Sequence, residues 1–219
     1  MDKNEDKDLK LRPMKCELNF LTKSDGSAIF AQGDTVTLAS VNGPLDIKMQ
    51  NQNIVRCTLE VQFCSKSGKS SITDRYKENV IRQTCEAALM GNLYPRTGLN
   101  ITVQELEDYG GLVSCCVNSV CLALVNAGVG MRSVFAAVSC AVDSRGTVIL
   151  DPTQALLDDT TAVMDFVFEG ENKGVIASFT EGSFSEVAYK EALEKCKQAS
   201  DHVFLFYRDI VKKYSKVLG

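Results

Sequence analysis

The chain has 219 residues, with 24 lysines and arginines against 28 aspartates and glutamates, for a formal net charge of −4. That balance excludes a free-standing, strongly basic nucleic-acid binder, and an apolar share of 45% excludes a disordered or fibrous chain. The opening MDKNEDKDLKL lacks the apolar run of a signal peptide, and no stretch is long and apolar enough to cross a bilayer, so no membrane partner is expected.

After a polar tail over residues 1–11, KCELNFL, SAIFAQ and TVTLASV alternate or run apolar, parted by the turn signals SDG and GDT. With IVRCTLEVQFCS they predict an antiparallel meander. From Asp74 to Met90, the residues Tyr76, Val80, Ile81, Thr84, Ala88 and Leu89 recur near helical spacing, and Gly91 stands where a C-terminal cap belongs. The opposite face carries Arg75, Asn79, Arg82 and Glu86. LNITVQEL reads as a strand, and SCCVNSVCLALVNAG as a helix apolar nearly all round, a pattern that predicts burial between layers.

SVFAAVSCAV with TVILD, and TAVMDFVFEG with GVIASFTE, read as two hairpins turning at Asp143 to Gly146 and Glu171 to Lys173. Ser183 and Glu186 have capping-box spacing ahead of a long amphipathic helix. The order is four strands, helix, strand, helix, four strands, helix. It predicts an α+β domain of layered sheets and helices, with 12–219 a single unit. Nine cysteines without a C-x-x-C motif, and one histidine, His202, argue against zinc and disulfide frameworks; most of the thiols read as small core residues. His202 and the run VFLFY read as core-facing or subunit-facing parts of the last helix.

Three constellations carry chemistry. Gly110 and Gly111 precede the buried helix, the arrangement in which backbone N–H groups cradle an anion, yet Leu112 and Val113 follow them. Asp159 and Asp165 flank a strand-like DTTAVMD, where an even offset puts both on one face with Thr161 and Val163, a geometry able to hold Mg²⁺. Between Ser65 and Arg96 lie Lys66, Lys69, Arg75, Lys77, Arg82 and Arg96 against Asp74, Glu78 and Glu86. That local excess reads either as a phosphate-contacting stripe or as a solvated helix face with Arg75, Glu78 and Arg82 at ion-pairing spacing.

DGSAIFAQGDTVTLASVNGP, YPRTGLNITVQ, the GG…N…AL…AG pattern of Gly110 to Gly128 and VILDPTQALLDDTTAVMDFVF together resemble the RNase PH family over nearly the whole chain. The resemblance implies an RNase PH-like (ribosomal protein S5 domain 2-like) fold. It also implies that Gly110, Gly111, Leu112, Val113 and Ser114 form a degenerate phosphate loop. Active members carry aspartate before the glycines and Thr-Arg-Thr after them, where this chain has Tyr109, then Leu112, Val113 and Ser114. A valine cannot replace a bidentate guanidinium on phosphate, so phosphorolysis is expected to be lost.

The same resemblance implies RNA contacts at Arg82 and Arg96, which the basic residues Lys66, Lys69 and Arg75 of the loop region before the helix are expected to extend, and a structural role in an RNA exosome ring. The implied partners are single-stranded RNA, other RNase PH-like subunits in a hexameric ring, RNA-binding cap subunits and a homodimer when isolated. The implied location is nucleus, nucleolus and cytoplasm. No cofactor is expected. The alternative is a metal-dependent hydrolytic nuclease, on RNA or DNA, using Asp159 and Asp165 with Mg²⁺.

Overall fold

The computed structural model describes residues 11–68 and 71–217. The polar tail other than Leu11 lies outside these residues, as does Lys69; Leu11 itself packs against the core. Strands β1 (Met14–Leu18), β2 (Gly26–Gln32) and β3 (Thr35–Asp46) form the antiparallel meander that the turn signals predict. The fourth strand departs from it. β4 (Thr58–Cys64) leads into helix α1 (Ile72–Ala88) and β5 (Thr97–Glu107), and β5 inserts between β3 and β4, so the sheet order is β1-β2-β3-β5-β4.

β4 therefore pairs parallel to β5 at the sheet edge, because the intervening helix carries the chain back across the sheet. It also starts later than its apolar run suggests: Ile54 and Val55 precede it and are exposed. The capping residue of α1 is Ser71, whose hydroxyl accepts from the Asp74 N–H while the Asp74 carboxylate accepts from the Ser71 N–H. At the other end Leu89, not Gly91, is the C-cap, and Gly91 opens a single 3₁₀ turn.

Helix α2 (Leu112–Ala127) follows β5 and lies between the two sheets, with every residue from Ser114 to Leu124 buried. The second sheet has order β7-β6-β8-β9, built from β6 (Phe135–Asp143), β7 (Val148–Leu150), β8 (Thr160–Glu169) and β9 (Val175–Gly182), all antiparallel. A short helix α3 (Gln154–Leu157) precedes β8, and α4 (Glu186–Val217) packs across the sheet. The N–H of Ala188 donates to the Ser185 hydroxyl, so Ser185 rather than Ser183 caps α4.

Burial inside α2 leaves three polar side chains to satisfy: Ser114 and Ser119 donate to carbonyls three residues back, and Asn118 reaches across to other elements. Asn118 donates to the Ala137 carbonyl at 3.0 Å, accepts from the Ala137 N–H at 2.8 Å and accepts from the Tyr207 hydroxyl at 2.8 Å. One side chain thus ties α2 to β6 and α4. All nine cysteines are free thiols, and six are buried, which agrees with their reading as core residues.

Candidate functional site

β5 ends at Glu107, and the chain turns through Asp108 to Gly111 into α2. Both glycines sit at positive φ, 102° and 67°, a region that side-chain-bearing residues avoid. Gly110 is further constrained, since a Cβ there would meet the Pro152 carbonyl at 2.5 Å. The loop is pressed against the segment that follows β7.

Arg12 straps this junction. Its guanidinium donates to Asp151 Oδ1 at 2.6 Å and to the Gly110 carbonyl at 2.9 Å, and its backbone N–H donates to Asp151 Oδ2 at 2.8 Å. The Thr35 hydroxyl donates to the same Gly110 carbonyl and accepts from the Tyr109 N–H. The Asp151 side chain is only 1% exposed, so this ion pair is buried rather than decorative. Nothing in the local sequence marks Arg12, Thr35 or Asp151 as partners, because they lie far apart along the chain. Ser114, the one hydroxyl between Gly110 and Ser114, donates back to the Gly111 carbonyl and so is committed to the turn.

The loop forms one wall of a cleft of about 270 Å³. Tyr76 and Lys77 of α1, Ser139 of β6, Val163 and Asp165 of β8, and Glu181 of β9 complete it, with Leu112 and Val113 lining the loop side. Tyr76, which periodicity assigned to the core face of α1, stands half-exposed at this wall. The cleft's charged side chains are Asp108, Asp165 and Glu181 against Lys77, whose ammonium lies 4.7 Å over the Phe63 ring. Three carboxylates to one ammonium is the wrong balance for a phosphate dianion.

Asp165 sits at the floor of the cleft, with Oδ1 enclosed and without a hydrogen-bond partner. Burial pushes its carboxyl up to about 6; the Ser139 hydroxyl pulls the other way and the Glu181 charge adds to the rise. Asp159 does not join it. β8 begins at Thr160, so strand alternation does not reach Asp159, which lies exposed in the turn after α3 and does not line the cleft. Among the described residues no group of three or more aspartate, glutamate, cysteine or histidine side chains could hold a metal. The carboxylate pair read from DTTAVMD is two separate residues.

The basic residues do not form one patch. Lys66 pairs with Glu107 at the C-terminal end of β5, both side chains exposed, and this contact raises the lysine's pKa. Arg96 precedes the other end of β5, so the 11 residues of that strand hold the two apart by about 35 Å. Between those ends, Arg75 and Arg82 lie along the outer face of α1, Arg75 exposed and Arg82 half-buried with its Nε unpartnered. The expected pairing with Glu78 is absent: Glu78 accepts from the Phe63 N–H, and neither arginine has an ion pair among the described residues. The last helix divides VFLFY by its period, with Val203 and Tyr207 buried and Leu205 exposed, and His202 faces solvent.

Models of the 3′ exoribonuclease family match the chain twice, domain 1 over residues 10–130 and domain 2 over residues 133–199. An Arabidopsis thaliana protein, the exosome complex exonuclease RRP46 homolog, is 30% identical over 226 residues, covering 95% of each chain. The crystal structure of rice Rrp46 superposes with a TM-score of 0.89 at 30% identity, covering 94% of this chain and 97% of that one. An archaeal exosome core superposes with a TM-score of 0.77 at 15% identity, a likeness of fold.

Proposed function

The chain belongs to the 3′ exoribonuclease family of RNase PH, and from that membership we propose that it is a non-catalytic, RNA-contacting structural subunit of the RNA exosome ring, supporting 3′-to-5′ RNA processing and degradation. Relatives that it matches nearly end to end are exosome RRP46 proteins, the chain resembles exosome component 5, and other RNase PH-like ring subunits match as well. The observation that carries the non-catalytic part is the cleft: Val113 and Leu112 on the loop, Ser114 turned inward, and an acidic excess where a phosphate nucleophile would have to be held. No observation favours the hydrolytic alternative, since Asp159 lies outside the cleft.

Its partners in this reading are RNase PH-like neighbours in a six-domain ring, RNA-binding cap subunits and single-stranded RNA, with a homodimer when the chain is alone. The particle would occupy nucleus, nucleolus and cytoplasm. The RNA path on this chain follows Arg75 and Arg82 along α1, with Lys66 and Arg96 near its two ends. Such contacts give affinity without sequence preference.

The test is product analysis. The pure protein, incubated with end-labelled RNA with and without inorganic phosphate and Mg²⁺, should release neither nucleoside diphosphates nor monophosphates, while co-expression with RNase PH-like subunits should yield a stable heteromer. Phosphate-dependent nucleoside diphosphates would overturn the non-catalytic reading. Failure to enter any heteromer would overturn the ring role.

A further inference from the structure

At the end of α2 remote from the glycine loop lies a larger groove, about 650 Å³, between the C-terminal turn of α2, the start of β6, the β8–β9 turn and the outer face of α4. Its floor is aliphatic, supplied by Val125, Val129, Met131, Val134 and Val211. Its rim carries Arg132, Arg208 and Lys212 against one carboxylate, Glu171. All three cations are exposed, and none has an ion pair among the described residues.

The walls are fixed by the fold. The Gly170 N–H donates to the Val134 carbonyl, the Arg132 N–H to the Ala88 carbonyl, and the Val129 N–H to the Leu124 carbonyl. The N–H of Gly128 caps the last α2 carbonyls, so the helix end presents little uncompensated negative charge to the groove. Tyr207 turns its hydroxyl inward to Asn118 and offers only the ring to the cavity.

We propose that this groove docks an acidic peptide segment of a partner protein, with aliphatic side chains seated on the valine and methionine floor and carboxylates paired to Arg132, Arg208 and Lys212. Charge complementarity selects the occupant: three unpaired cations around an apolar floor call for carboxylates flanking aliphatic anchors. Single-stranded nucleic acid fits the rim but not the floor, because its bases need exposed rings to stack on, and the aromatic residues lining the groove, Phe204 and Tyr207, are half-buried and buried. A preformed groove of this kind binds without first ordering its walls. The proposal does not rest on the ring assignment.

The experiment is a fluorescence-polarisation titration of the full chain with the fluorescein-labelled peptide DELLEDLL, beside KKLLKKLL and DESSEDSS. The acidic aliphatic peptide should bind saturably, and both controls at least tenfold more weakly. Arg208→Glu combined with Lys212→Glu, and separately Val211→Asp, should each weaken binding at least tenfold with native circular dichroism, since all three positions are exposed. Three results would overturn the proposal: no saturable binding, equal binding by the double variant, or displacement of the peptide by oligouridylate but not by unlabelled DELLEDLL.

Discussion

Asn118 shows what one buried amide does inside a mostly apolar helix. Its amide occupies both backbone groups of Ala137 and receives the Tyr207 hydroxyl, so Asn118→Ala strands three buried polar groups at once. The expected cost is about 3 kcal/mol, read as a lower urea midpoint with an unchanged m-value. Asp165 presents the opposite case, a half-buried residue whose enclosed Oδ1 has no partner. Its pKa is raised from 3.8 to about 6, so the folded state holds the proton more tightly than the unfolded state does. The stability that this proton confers is complete below pH 3.8 and is lost as pH rises through 6. Asp165→Asn cannot ionise, and should therefore exceed the parent in stability at pH 7 by up to about 3 kcal/mol, with the gap closing between pH 6 and pH 4. Urea titrations of both proteins across that range give the answer; a gap independent of pH would contradict the assignment of the shift to this carboxyl.

Elements meet at the glycine loop, and the buried Arg12–Asp151 pair decides how firmly. Removing one partner leaves the other charged and enclosed, so Arg12→Met should cost about 3 kcal/mol, whereas breaking the exposed Lys66–Glu107 pair should cost less than about 1 kcal/mol. Hydrogen exchange should locate the damage: the Gly110 N–H, held on Asp108 Oδ1, is expected to exchange faster in Arg12→Met while the α2 interior stays protected. Elements are also where local sequence is most and least informative. The two hairpins and α2 follow from turn residues and from a continuous apolar run, both local causes. The position of β4 at the sheet edge, beyond β5, follows from the α1 crossover, whose effect on strand order no local pattern encodes.

Among the described residues the molecule presents an acidic cleft, an arginine-bearing face of α1 whose Tyr76 and Lys77 also line that cleft, and, remote from the cleft at the other end of α2, a basic-rimmed apolar groove. The groove shares no residue with α1 or the cleft, so charge reversal on the helix face should leave the groove intact. Arg75→Glu with Arg82→Glu should weaken single-stranded RNA binding and make its logarithmic salt dependence shallower by about one unit or more, because fewer counterions are displaced. The double variant should still bind DELLEDLL. An unchanged affinity and salt slope, in a variant with native circular dichroism, would take α1 out of the RNA path.

The sequence by itself determined the element order, the short α3 apart, and the burial of α2, because each is a property of residue type at adjacent or periodic positions. Tertiary structure alone decided the rest. It brought Arg12, Thr35 and Asp151 together from distant positions to hold the loop, set Asp165 in the cleft and left Asp159 outside it, and spread the basic residues over α1 and the two ends of β5 instead of gathering them. The physical reason is that side-chain proximity across elements depends on strand order, on where each strand begins and on helix placement, which are fixed when the two sheets close on α2 and not by any local run of residues.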